Sequence, residues 1–351
     1  MRLKKTLVMY TTTAMLNEAF CLSRDFEFLL EDLLSRIDGV TSRTDIEELI
    51  IVGSGDSYFA GLACQHVALA IYQLDCKVFT ISYFKEYVVS KIAKKKSRLI
   101  VFVSASGSSI GLQESIIKAK QFSETLILTS NSSADCINDC SYSIIYNLPG
   151  KEKSPGIRTF QASLLGLLLL VFNIDQSNNI PVYNLNKLKV TMAELSLSIK
   201  KQFEDYVVRI DTIVPNIVNK TQMMFIGSGI NYATALFSSA KIIESTGIWS
   251  KGQDVGEWYH VDRFSREYDM PVFFFRPIEE SNNYSKTVDL AKELGRTVFE
   301  VCPIRSNTYA NHTGQRDILE MLSPFLYIAF PALLGCRISE HRGLTMFSTK
   351  L

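Results

Sequence analysis

The sequence has no excess of charge of either sign: 37 Lys and Arg stand against 36 Asp and Glu in 351 residues. No bulk field draws such a chain to nucleic acid or to an anionic membrane, so any anion must be held by a local site. Long hydrophobic runs are missing too. The longest, Leu164–Phe172, falls short of the ~20 apolar residues that cross a bilayer and predicts a buried helix. Arg2, Lys4 and Lys5 precede a short apolar stretch, but Tyr10–Thr13 interrupt it without a clean cleavage site, which argues against a signal peptide. Seven cysteines, an odd and scattered set, exclude a complete disulfide framework and point to a reducing cytoplasm. Cys136 and Cys140 lie closest together, but no second Cys/His pair follows at zinc spacing, so no metal is expected and small buried hydrophobes are. Neither half contains the lysine-bearing P-loop, and Gly53-Ser54-Gly55 lacks the third glycine of a dinucleotide turn. No cofactor is expected.

What is present is alternation. Thr11–Ile37 predicts a helical lead-in, with apolar positions at Leu16, Phe20, Phe26, Leu29, Leu30 and Leu33. An apolar strand at Glu48–Val52 runs into Gly53-Ser54-Gly55-Asp56-Ser57 and a helix from Phe59 to Tyr72. A strand at Lys77–Ile81 and a helix near Lys85–Lys94 follow. Leu99–Val103 then ends in Ser104-Ala105-Ser106-Gly107-Ser108-Ser109, ahead of a helix at Leu112–Phe122. Thr125–Leu128 and Tyr142–Tyr146 complete four or five strands. Strand–helix alternation of this kind predicts an α/β fold, a parallel sheet with helices on both faces. A polar, helix-prone connection runs from Asn178 to about Asn219, with Pro181 and Pro215 as punctuation. The pattern then restarts with a strand at Met223–Ile226, and Gly227-Ser228-Gly229 opens a helix through Ala233–Ser245. A strand at Pro271–Phe275, a helix at Thr287–Leu294, a strand at Thr297–Val301 and a last helix at Ile318–Leu334 complete it. Two Gly-Ser-Gly turns in the same context indicate a repeat of domain size. The expected division is a lead-in over residues 1–42, a first domain over 43–176, a connection over 177–219 and a second domain over 220–351.

The loop Ser104–Ser109 is expected at the carboxyl edge of a parallel sheet, where ligands of open α/β folds bind. Amide groups at a helix start, the positive end of its dipole and the hydroxyls of Ser104, Ser106, Ser108 and Ser109 suit a phosphate there. Gly107 lets the backbone approach closely. A serine-rich turn with an N-cap is the plainer alternative. The second half has no such loop: its matching strand ends in Arg276-Pro277-Ile278-Glu279, so one phosphate site per chain is expected. Lys241 and Glu244, three apart, share a helix face, and His260 follows a loop containing Gly252, Gly256 and Glu257. A solvated ion pair and an ordinary histidine are the competing readings. His66, His312 and His341 carry no functional argument.

Together these residues resemble the sugar isomerase (SIS) superfamily, in particular the isomerase half of glucosamine-6-phosphate synthase and stand-alone phosphosugar deaminases and deglycases. Ser104–Ser109 is similar to the family's SxSGxT/S phosphate signature. Phe225–Tyr232 through Ala240-Lys241-Ile242-Ile243-Glu244 follows the family segment without a gap, and the spacing continues through Gly256-Glu257 to His260. With the stretch from Lys151 to Phe160 and the apolar helix after it, the resemblance spans roughly Glu47 to Leu334. It implies two tandem SIS-type domains that bind a phosphorylated hexose or amino sugar. Ser104, Ser106 and Ser109 would hold the phosphate, helped by the turn at Gly55, Asp56 and Ser57. Glu244 would take the place of the base that moves a proton between C1 and C2. His260 would take that of the ring-opening group, reaching the site across a homodimer interface, and Lys241 that of a supporting lysine.

The chemistry makes the same demand: ring opening needs an acid/base, and isomerisation needs a base of near-neutral pKa beside C1 and C2. Departures from the pattern are also visible. No glutaminase is expected from a chain whose Met1-Arg2 begins a helical lead-in, so an amine-releasing direction is expected, with a plain isomerase or a non-catalytic sugar-phosphate sensor as alternatives. Met346 takes the place of the family's imine-forming lysine, and Lys350 lies four residues later. His260-Val261-Asp262 replaces His-Gly-Pro. Asp56 replaces a Thr or Ser, which puts a carboxylate near the expected phosphate or instead against a sugar hydroxyl or amine, and Gly156 replaces a serine near the substrate. No helix-turn-helix with a basic face precedes the first domain, so no nucleic-acid partner is expected.

Overall fold

The structure, a computed structural model, describes residues 10–41, 46–174, 185–278, 281–304 and 316–347. Parallel strands covered on both faces must be apolar throughout rather than alternating. Glu48–Gly53 (β1) and Arg98–Val103 (β3) meet that demand beyond their first residues, Glu48 and Arg98, which pair with each other at 2.8 Å, and both are buried along their whole length. With Asp75–Thr80 (β2), Glu124–Thr129 (β4) and Tyr142–Ile145 (β5) they form an all-parallel sheet in the order β2-β1-β3-β4-β5. A second all-parallel sheet has Gln222–Gly227 (β6), Trp249–Asp254 (β7), Pro271–Phe275 (β8) and Thr297–Val301 (β9) in the order β7-β6-β8-β9. The fold is α/β, two parallel sheets flanked by helices.

The lead-in is two helices, Thr12–Phe20 (α1) and Leu22–Thr41 (α2), separated at Cys21. Thr11 caps the first by accepting the Ala14 N–H. Asp56–Tyr72 (α3) follows β1, and Ile81–Tyr83 (α4) with a single wide turn at Phe84–Val88 follows β2, shorter than the expected helix. Leu112–Ala119 (α5) follows β3, and Arg158–Asn173 (α6) is the buried apolar helix. Leu185–Ile217 (α7) runs through Pro215 rather than stopping before it. A proline two residues from a helix end removes one terminal hydrogen bond and leaves the interior intact. Ile230–Thr246 (α8) follows β6, and Asn282–Glu293 (α10) follows β8, with Val255–His260 (α9) between them.

The segment expected as a loop around Gly252, Gly256 and Glu257 is instead the edge strand β7 and the helix α9. Trp249–Asp254 lacks the apolar run that marks the other strands, since an edge strand is only partly covered. Gly252 is required there: a Cβ would lie 2.6 Å from the backbone of Ala235 and Leu236. Asp254 caps α9, its Oδ1 accepting from Gly256 N at 2.7 Å.

Both strand-to-helix turns have the same backbone. Gly55 has φ 55°, ψ −127° and Gly229 has φ 56°, ψ −127°, a region closed to other residues. A Cβ at Gly53 would lie 2.8 Å from Ser57, and one at Gly227 2.0 Å from Asn231. Each helix therefore starts directly on top of its strand, at the carboxyl edge of its sheet. The halves meet where α3 packs on α8 and where Phe160 of α6 stacks on Phe237 of α8 at 4.0 Å. Ile318–Arg342 is long and apolar enough to cross a membrane by composition, yet 94% of its apolar window is buried within the fold. Its last helix, Ala329–Arg342, packs on α1, α7 and α8.

Candidate functional site

The loop after β3 is held from behind. Ser130 Oγ donates to Ala105 O at 2.8 Å and Asn131 Nδ2 to Ser106 O at 2.8 Å, so the loop's carbonyls are tied to the end of β4. Gly107 has φ 65°, and a Cβ there would lie 2.3 Å from that of Ala134, so only glycine lets the loop close so tightly. Within the loop the Oγ atoms of Ser104 and Ser109 are 3.0 Å apart. Ser108 faces outward and bonds through its N–H and Oγ to Ser106 Oγ, so of the four serines it alone does not line the cavity in front.

That cavity, about 240 Å³, is walled by the loop, by the start of α3 with Ser54, Asp56 and Ser57, and by α6. Its far wall is Glu244, from α8 of the other half. Gly55 shapes the turn without lining the space. Thr159, Phe160 and Ser163 also face it and were not singled out from the sequence. Their signal was available: Thr159 and Ser163 are polar, four apart, and share one face at the start of a helix that is apolar from Leu164 to Phe172.

Glu244 does not stand alone. Lys241 Nζ, with no exposed surface, bonds Glu244 Oε2 at 2.6 Å and Asp56 Oδ2 at 2.7 Å. The lysine does not line the cavity. It lies behind two carboxylates that do, clamping one from each half, with its ammonium 5.2 Å over the Phe237 ring. Burial acts to lower the Lys241 pKa, but Asp56 and Glu244 outweigh it and the amine is held above its usual value. Burial pushes the Glu244 carboxyl up; Lys241 opposes this and Asp56 adds to it, and the net direction is upward. A carboxyl raised from its ordinary range and facing a cavity is a suitable general base.

The expected site residues thus divide. Asp56, Ser57, Ser104, Ser106, Ser109 and Glu244 share one cavity, and Lys241 supports it. His260 ends α9 on the exposed surface, its ring 5.6 Å from that of Tyr259, and does not line the cavity of its own chain. Met346 is buried, and the N–H of its neighbour Phe347 donates to Glu244 O at 2.8 Å, so the chain segment carrying Met346 does pass beside α8. Lys350 and His312 lie outside the described residues. Cys136 and Cys140 are free and buried among apolar side chains, and burial pushes the Cys140 thiol up to about 12. Among the described residues no group of His, Cys, Asp and Glu could hold a metal ion.

Two parallel sheets facing each other through α3 and α8, with a serine loop on one and a Lys-Glu helix on the other, define the tandem sugar isomerase fold. The C-terminal domain of glucosamine-fructose-6-phosphate aminotransferase from Francisella tularensis has the same fold at a TM-score of 0.77. That match has 16% identity and covers 95% of this chain and 98% of that one. Glucosamine-6-phosphate deaminase from Thermotoga maritima matches at a TM-score of 0.75 and 17% identity, covering 95% of this chain and 96% of that one. In sequence, the glutamine–fructose-6-phosphate aminotransferase of Buchnera aphidicola is 24% identical over 310 residues, which are 85% of this chain and 49% of that protein. The chain spans about half the length of the curated relatives it matches. No family model matches it.

Proposed function

We propose that the chain is a phosphosugar isomerase, and more specifically that it acts on an amino-sugar or glycated-amine phosphate in the amine-releasing direction. The observation that carries the reading is that Glu244 of one half and the serine loop of the other wall a single cavity. Phosphate held by Ser104, Ser106 and Ser109 fixes the ligand far from its reacting end, which orients C1 and C2 without contacting them. Glu244 then removes the C2 proton of the open-chain sugar and returns it to C1. With a 2-amino sugar the same transfer gives a 2-imine, and water converts that to a ketose and ammonia. Lys241 is a positioning residue here: it keeps the Glu244 carboxylate against the cavity. His260, exposed on its own chain, is assigned to ring opening in the partner's site of a homodimer, and the compartment is the cytoplasm.

The experiment is exchange of the C2 proton of a hexose 6-phosphate with deuterated water. Glu244→Gln should reduce exchange by roughly 10²-fold or more while the sugar phosphate still binds. Exchange unchanged in that variant removes the assignment. Met346 in place of a lysine favours a second reading, a sugar-phosphate sensor, and binding without any exchange in the unaltered protein would select it.

A further inference from the structure

The cavity wall has an imbalance that isomerisation alone does not need. Among the described residues no Lys, Arg or His lines it, whereas two carboxylates do. Lys241, wholly buried behind them, supplies one positive charge for the pair. A neutral sugar would face two carboxylates that share one cation.

Asp56 occupies its place because of a residue far away in the chain. A Cβ at Gly156 would lie 2.5 Å from Asp56 Oδ2 and 3.0 Å from Thr159 Oγ1, so any side chain at 156 would displace the carboxylate. Of the two Asp56 oxygens, Oδ2 is committed to Lys241 at 2.7 Å, and Oδ1 has no hydrogen-bond partner although shielded from water. Buried acceptors without donors are uncommon and costly. What it lacks is a hydrogen-bond donor, which a ligand's ammonium group can supply.

We propose that Asp56, given room by the absent side chain of Gly156, is a specificity-determining residue that accepts from the ammonium group of an amine-bearing sugar phosphate, so that the site selects aminated over neutral phosphosugars. The ligand is then a zwitterion that fits the wall at both ends: its phosphate meets neutral hydroxyls and amides, and its ammonium meets the carboxylates. Charge-assisted hydrogen bonds of this kind are about twice as strong as neutral ones. The inference rests on the phosphosugar reading above and adds the residue that chooses among phosphosugars.

Calorimetric titration of the full chain at pH 7 with glucosamine 6-phosphate and with glucose 6-phosphate tests it, the readout being the ratio of the two affinities. The unaltered protein should prefer the amine by roughly tenfold or more, and Asp56→Asn should bring the ratio near one. Gly156→Ala, which removes no charge, should lower the same ratio by pushing the carboxylate aside. A ratio near one in the unaltered protein, or a preference that survives Asp56→Asn, overturns the role of Asp56 and leaves the phosphosugar reading standing. Failure to bind either sugar phosphate overturns that reading, and this inference with it.

Discussion

The two halves build the same turn and use it differently. In the first, Ser57 stands two residues after Gly55, and the loop from Ser104 opens onto a cavity. In the second, Asn231 stands two residues after Gly229, and Ile226 pairs with Phe274 in the register in which Val52 pairs with Phe102. Ile278 is therefore the counterpart of Ser106. There the carboxylate of Glu320 accepts from Ile278 N at 2.5 Å and from Asn231 Nδ2 at 3.4 Å, and Asn231 also donates to Ser323 Oγ at 2.9 Å. The protein's own carboxylate sits at the position that corresponds to the proposed phosphate loop of the first half. A strand-to-helix turn of this kind suits an anion, and in the second half the chain itself provides one.

The largest effect should come from breaking what joins the halves. Lys241→Met leaves Asp56 and Glu244 facing each other without their cation. Removing one partner of a buried charge cluster costs about 3–5 kcal/mol, so the midpoint of urea unfolding should fall markedly. A loss under about 1 kcal/mol, the value of a surface pair, would mean that Lys241 is not the clamp its burial indicates.

The next contrast is between the seats. Ser106→Ala combined with Ser109→Ala should weaken sugar-phosphate binding by roughly thirtyfold to a thousandfold, taking about 1–2 kcal/mol for each of the two hydrogen bonds to an anion. Asn231→Ala, at the counterpart of Ser57 in the second half, should leave that affinity within about twofold while lowering stability. Equal losses of affinity would show that both turns hold ligand, and no loss in the serine variant would place the phosphate elsewhere.

Sequence made one side of this comparison legible and hid the other. The Gly-Ser-Gly turns, the run Leu99–Val103 ending in serines and the Lys241–Glu244 spacing are local patterns, and the structure places each in the element that its pattern predicts. The strand β7 escaped because its edge position relaxes the demand for apolar residues. The bond from Lys241 to Asp56 spans 185 positions and the bond from Asn231 to Glu320 spans 89, and no periodicity encodes contacts of that range. The absence of a second serine loop suggests a single phosphate site. It could not reveal that Glu320 fills the turn of the second half, because nothing in the run Arg316–Leu322 marks that carboxylate apart from an ordinary surface residue.

The smallest predicted effect bears on that filling. Glu320→Ala removes the internal anion and leaves the Ile278 amide and the Asn231 side chain without it, a loss of about 1–3 kcal/mol for donors left buried and unsatisfied. If the carboxylate stands in for a bound anion, millimolar inorganic phosphate should restore part of the lost melting temperature. The test belongs in the Ser106→Ala, Ser109→Ala background, where the first seat no longer contributes to phosphate stabilisation. Rescue by phosphate but not by chloride at equal ionic strength separates occupation of the seat from general screening, since screening is shared by both salts. Absence of rescue would mean that Glu320 is a helix-packing residue whose two hydrogen bonds are incidental, and that the likeness of the two turns ends at their backbone.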